Sequence, residues 1–96
     1  MKPALKPNTI DLFAALGNPQ RALVIQFCLS AKSVSLCDLT QAFPDIPRSS
    51  LTHHVNTLVA AGALTATKAG RETNLSVNRA QILKHVKYLT EMMGSP

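Results

Sequence analysis

Arg48, Ser49, Ser50, Thr52, His53, His54 and Asn56 crowd one short stretch of the chain, directly after Pro47. An arginine can bond guanine O6 and N7 together, and serine and threonine hydroxyls donate to bases or to phosphate. On a helix, Arg48 and Thr52 fall one turn apart and can address neighbouring base pairs. A second basic group, Lys68, Gly70 and Arg71, has the composition of a tight turn. Such a tip can follow a phosphate backbone or enter a minor groove. Each group also has a plainer reading, a solvated helix face and an ordinary hairpin turn. The case for nucleic acid rests on their occurring together in a basic chain.

The other reactive side chains suggest less. Adjacent histidines on a helix point about 100° apart, so His53 and His54 cannot easily grip one metal ion. His53 is the expected DNA contact. His54 joins it as a candidate with a partly structural role, bracing the helix. Cys28 and Cys37 are too few for a disulfide scaffold, and both are expected to be buried structural thiols. His85 and Glu91 are six residues apart on different helix faces and make no zinc site. There is no Gly-rich phosphate loop, metalloprotease pair or nucleophile elbow, so no enzyme and no cofactor are expected.

Ninety-six residues suit a single domain. Ten Lys+Arg against five Asp+Glu give +5 and a pI near 9.7, which favours an anionic partner. No apolar run approaches the ~18 residues of a membrane span. The opening residues carry charge with no apolar stretch behind it, so no signal peptide is expected and the setting is cytoplasmic.

The elements that must position these residues follow from periodicity and punctuation. Residues 1–8 read as a loose basic arm and 94–96 as a tail. Thr9–Leu16 is a helix stopped by Gly17 in a left-handed conformation. Asn18-Pro19 caps and opens a second helix over 19–30, with Leu23, Val24, Phe27 and Cys28 on its inner face. Ser35 with Asp38 resembles a capping box for a short helix at 36–43. Pro44 and Pro47 make a corner, and Pro47 starts a helix over 47–61 that Gly62 ends. Two helices joined by a short turn are a helix-turn-helix. A two-stranded hairpin, 64–67 and 72–77, comes next. Asn78 then caps a last helix, 79–93. The fold expected is mainly α with a two-stranded β-hairpin: a winged helix-turn-helix.

In this order the chain resembles the ArsR-type (ArsR/SmtB-like) winged-helix transcriptional repressors over roughly residues 9–90. The resemblance lies in Leu16-Gly17-Asn18-Pro19-Gln20-Arg21, Cys37-Asp38-Leu39, Ser49-Ser50-Leu51-Thr52-His53-His54-Val55 and Leu58-Val59-Ala60-Ala61-Gly62-Ala63-Leu64. It implies a homodimer that binds a double-stranded DNA operator and is released by a small-molecule or metal inducer. It also implies a dimer interface from the first and last helices, here Ile10, Phe13, Ile82, Val86, Leu89 and Met93. The corner at Phe43–Ile46 is one residue longer than is usual for the family. His54 matches the family's recognition-helix histidine. Cys37 matches the second cysteine of the thiolate motif in metal-sensing relatives. Ser35 and Thr40 stand where a soft metal would need further thiolates, so no metal is expected at Cys37.

The sequence reading is a homodimeric, sequence-specific DNA-binding regulator, a repressor, without membrane association. Two alternatives stand beside it: a winged-helix interaction module that binds no DNA, and a regulator switched by cysteine oxidation or persulfide. The first would not need basic residues on both Arg48 and Arg71. The second needs a partner sulfur close to its cysteine.

Overall fold

A computed structural model describes residues 7–94. The expected arm lies almost wholly outside the described residues, as does the end of the tail. The order is α1 (Pro7–Leu16), α2 (Pro19–Cys28), β1 (Val34–Ser35), α3 (Leu36–Ala42), α4 (Arg48–Ala60), β2 (Leu64–Ala69), β3 (Glu72–Val77) and α5 (Arg79–Met93).

Local chemistry sets most boundaries. Asn18 Oδ1 accepts from the Gln20 and Arg21 N–H groups and so caps α2. Ser35 Oγ accepts from the Asp38 N–H at 2.9 Å and caps α3. Gly62, at φ 85°, ends α4 with the bond pair of a Schellman motif. Its N–H donates to Val59 O, and the Ala63 N–H donates to Leu58 O. Gly17 behaves otherwise than expected: its φ is not positive, and α1 ends in an ordinary turn. Asn78 precedes α5 but its side chain does not cap it. That side chain accepts from Thr65 Oγ1 and donates to Gly62 O, tying the start of α5 to the root of the hairpin.

The sheet has three strands, not two, in the order β1-β3-β2, all antiparallel. Val34 pairs with Leu75, and both are buried. The hairpin runs in register from Leu64↔Val77 to Ala69↔Glu72, longer than expected at its first strand. Gly70, at φ 64°, takes the first turn position, and Arg71 follows without a positive φ. That is the pattern of a type II′ hairpin turn, which glycine alone enters freely. Only Leu64 of β2 is buried, so the hairpin projects from the body.

The core joins α1 (Leu12, Ala15), α2 (Val24, Cys28), α3 (Leu39), α4 (Leu51, Val55, Leu58) and the sheet (Leu64, Leu75). Each fully buried leucine contributes about 1.5–3 kcal/mol. Phe27 and Phe43 meet edge to face at 5.8 Å and fix the corner before α4 against α2. Leu23, expected inside, is 47% exposed. Helix α5 is loosely held by comparison. His85 is its one buried residue, with Ile82 packed against the core and Arg79 bonded to Leu29 O at 3.0 Å.

Candidate nucleic-acid interface

Helix α4 is two-sided. Leu51, His54, Val55 and Leu58 face the core, which turns Arg48, Ser49, His53 and Asn56 outward and leaves Ser50 and Thr52 half-buried. Pro47 is its N-cap and makes no side-chain bond to the first turn. The first N–H groups of the helix therefore have no capping side chain, and they lie beside Arg48.

His54 departs from the expected DNA set. It is buried, with Nε2 2.8 Å from Gln20 Oε1 and Nδ1 3.5 Å from the Arg21 guanidinium. The amide oxygen only accepts and the guanidinium only donates. The ring therefore carries its hydrogen on Nε2 and accepts at Nδ1. Burial holds its pKa below the ordinary histidine value, with Arg21 and His53 adding to the effect. His54 is thus a brace between α4 and α2, and Arg21 is itself fixed by donating to Ala15 O at 2.7 Å. His53 remains exposed on the outer face.

Lys68, Gly70 and Arg71 all lie exposed toward the hairpin tip. Arg48 and Arg71 line one cavity of about 220 Å³, bounded also by Ser35, Cys37, Thr40 and Glu72. So α3, the start of α4 and the hairpin tip meet at one concave place. Sequence spacing gave no hint of this, because the rest of α4 and all of β2 lie between the two arginines.

The thiols have unlike settings. Cys28 is fully buried and desolvation pushes its pKa up to about 11. Cys37 is exposed, against the expectation of two buried thiols, and its Sγ accepts from Gln41 Nε2 at 3.6 Å. No second sulfur among the described residues lines its cavity. Among the described residues, no three His, Cys, Asp or Glu side chains gather as metal ligands. No helix among them is long and apolar enough to cross a membrane.

The expected dimer residues divide. Ile10, Val86 and Met93 are 49%, 43% and 74% exposed, while Phe13, Ile82 and Leu89 are half-buried within one chain. Leu83, which the stripe omitted, is 65% exposed. His85, whose zinc role the spacing argued against, lies buried with Nδ1 2.7 Å from Thr9 Oγ1.

A helix-turn-helix with its polar face outward, followed by a basic hairpin, defines a winged helix. Its particular form is the ArsR/SmtB-like winged-helix fold. An ArsR-like transcriptional regulator from Rhodococcus sp. RHA1 superposes with a TM-score of 0.80 at 26% identity, over 88% of this chain and 78% of that one. A second ArsR family transcriptional regulator gives 0.78 at 22% identity, over 97% and 93%. HlyU from Vibrio cholerae gives 0.70 at 16% identity, over 88% and 90%. No family model matches the chain, and no curated protein matches it either. These neighbours are described as transcriptional regulators.

Proposed function

We propose that this chain is a homodimeric, sequence-specific DNA-binding transcription repressor of ArsR type, acting in the cytoplasm on a double-stranded operator. The observation that carries this reading is the shared cavity of Arg48 and Arg71. Two cations from the recognition helix and the wing converge on one side of the molecule, where the exposed face of α4 also lies. A docking scaffold would have no use for that convergence. In this reading Ser49, Thr52, His53 and Asn56 address base edges, with Ser50 at the margin. Lys68 and Arg71 meet backbone, and Gly70 permits the turn. Helix α5 and the exposed Ile10 supply the two-fold contact, since Leu83, Val86 and Met93 have no cover within one chain. Release follows an unidentified signal, a small-molecule or metal inducer.

The test is selection of binding sites from random DNA by the purified protein. The expected product is an inverted repeat, with half-sites about one helical turn apart. Asn56→Ala should relax preference at one position per half-site and cost about 1–3 kcal/mol there. Failure to enrich any motif would favour the docking scaffold.

A further inference from the structure

We infer that the cavity between α3, the start of α4 and the hairpin tip seats a single DNA-backbone phosphodiester, held jointly by Arg48 and Arg71. This rests on the DNA-binding reading above and makes it more specific. It also moves Arg48 from base reading to backbone clamping.

The chain has four arginines, and they fall into two kinds. Arg21 and Arg79 are committed inside the fold, donating to Ala15 O and Leu29 O. Arg48 and Arg71 have no hydrogen-bond or ion-pair partner among the described residues, yet both line the same cavity. Guanidinium groups repel one another, and two of them facing one small space favour an anion between them. Their planar donor forks match a phosphate's oxygens, and two can serve different oxygens of one group. The cavity, about 220 Å³, is several times the ~30 Å³ share of one water in the liquid, so it has room for a phosphodiester. Thr73 and Ser35 also line it, and because the Ser35 oxygen accepts from Asp38 its hydroxyl hydrogen stays available to donate. Glu72 is the single carboxylate there, so two cations face one anion. Neighbouring parts point the same way. Helix α4 begins at Arg48 without a side-chain cap, and Lys68 is exposed farther along the hairpin.

The exposed Cys37 on the same wall is a chemical handle for testing this. Cys28 is fully buried with a raised pKa, so thiol reagents select Cys37 in the native chain.

The experiment measures binding of wild type, Arg48→Ala, Arg71→Ala and the double variant to a selected duplex across salt concentrations. If one phosphate is shared, either single variant leaves one arginine on it, so each weakens binding up to about tenfold per half-site with little change in salt slope. The double variant vacates the phosphate and flattens the slope by about 0.9 per half-site, where two separate phosphates would give about twice that. Losses and slopes that simply add would overturn the shared seat while leaving DNA binding intact. A wild-type chain that binds no duplex at low salt overturns the DNA reading and the seat together. Glu72→Gln should tighten binding, and unchanged or weaker binding counts against the seat.

A second arm labels Cys37 with methanethiosulfonates bearing either a sulfonate or a trimethylammonium group. The anionic adduct should abolish binding, and the cationic adduct should retain most of it. Equal loss from both would show obstruction without charge selectivity, which overturns the seat. The source of the phosphate is read from labelling rates. Duplex DNA should slow labelling of Cys37, and millimolar inorganic phosphate at matched ionic strength should not. Protection by inorganic phosphate alone would identify a site for free oxyanions instead.

Discussion

The bond between Thr9 and His85 joins α1 to α5, and replacing Thr9 with valine tests how much depends on it. Thr9 is fully buried and His85 is 6% exposed, with Oγ1 and Nδ1 2.7 Å apart. The other ring nitrogen, Nε2, lies 3.2 Å from Gln81 Nε2, an amide nitrogen that only donates. Nε2 therefore accepts, and Nδ1 carries the hydrogen and donates to the threonine oxygen. Thr9→Val keeps the side chain's shape and removes that acceptor. A buried N–H then loses its protein partner, at a cost of about 1–3 kcal/mol. For a domain of this size that lowers Tm by about 4–8 °C per kcal/mol.

The assay is urea unfolding at fixed protein concentration, run on Thr9→Val, Thr9→Ser, His85→Leu and Thr9→Val/His85→Leu. Thr9→Ser should stay near wild type because it retains the hydroxyl. The double variant should be less damaged than the sum of its singles, by about 1 kcal/mol or more, since removing both polar partners leaves nothing unsatisfied. In the proposed dimer Thr9→Val should also weaken self-association, because the bond ties α5 to α1. A Thr9→Val cost below about 0.5 kcal/mol, or strict additivity in the double variant, would refute the reasoning.

Three further outcomes are expected. His54 is held below its unfolded value of 6.5, so the unfolded chain binds more protons as pH falls below that value. The stability that its burial supplies is complete above 6.5 and is lost as pH falls through the folded value. Urea midpoints should drop from pH 7.5 to pH 5, and His54→Gln should flatten the change; an equal drop in both proteins would refute the brace. Cys28 shifts the opposite way, from 9.0 up to about 11. Its share of stability is intact below pH 9 and lost as pH rises toward 11, about 2–3 kcal/mol at about 1.36 per unit. Cys28→Ala should lose less over that range, and parallel curves would contradict the shift. If the proposed dimer uses α5, Leu83→Asp should give a folded monomer by sedimentation, because Leu83 is exposed within one chain; an unchanged dimer would refute that interface.

What the sequence revealed and what it hid separate by range. The Asn18 and Ser35 caps, the Gly62 stop and the glycine of the hairpin tip act on neighbours within a few residues, so residue type and spacing disclose them. Strand β1 is only Val34 and Ser35 and exists by pairing with Leu75 and Asn74, far along the chain. Two residues carry no period to detect. Asn78 had the composition of a cap, yet Thr65 and Gly62 O compete for its side chain and win. Gly17 shows the converse error: a glycine after a helix suggests a left-handed residue but does not require one. His54 stood in a run of polar residues, and a partly structural, bracing role was expected for it beside its place in the DNA set. Its inward turn follows from helical phase, since Leu51, Val55 and Leu58 define the buried side and His54 shares it. The same phase sends Arg48 outward. The third strand then matters functionally, because β1 fixes β3 beside α3 and so places Arg71 over the cavity that Arg48 lines. Neither cation alone suggests a phosphate seat; the sheet pairing that a two-residue strand completes is what makes them one site.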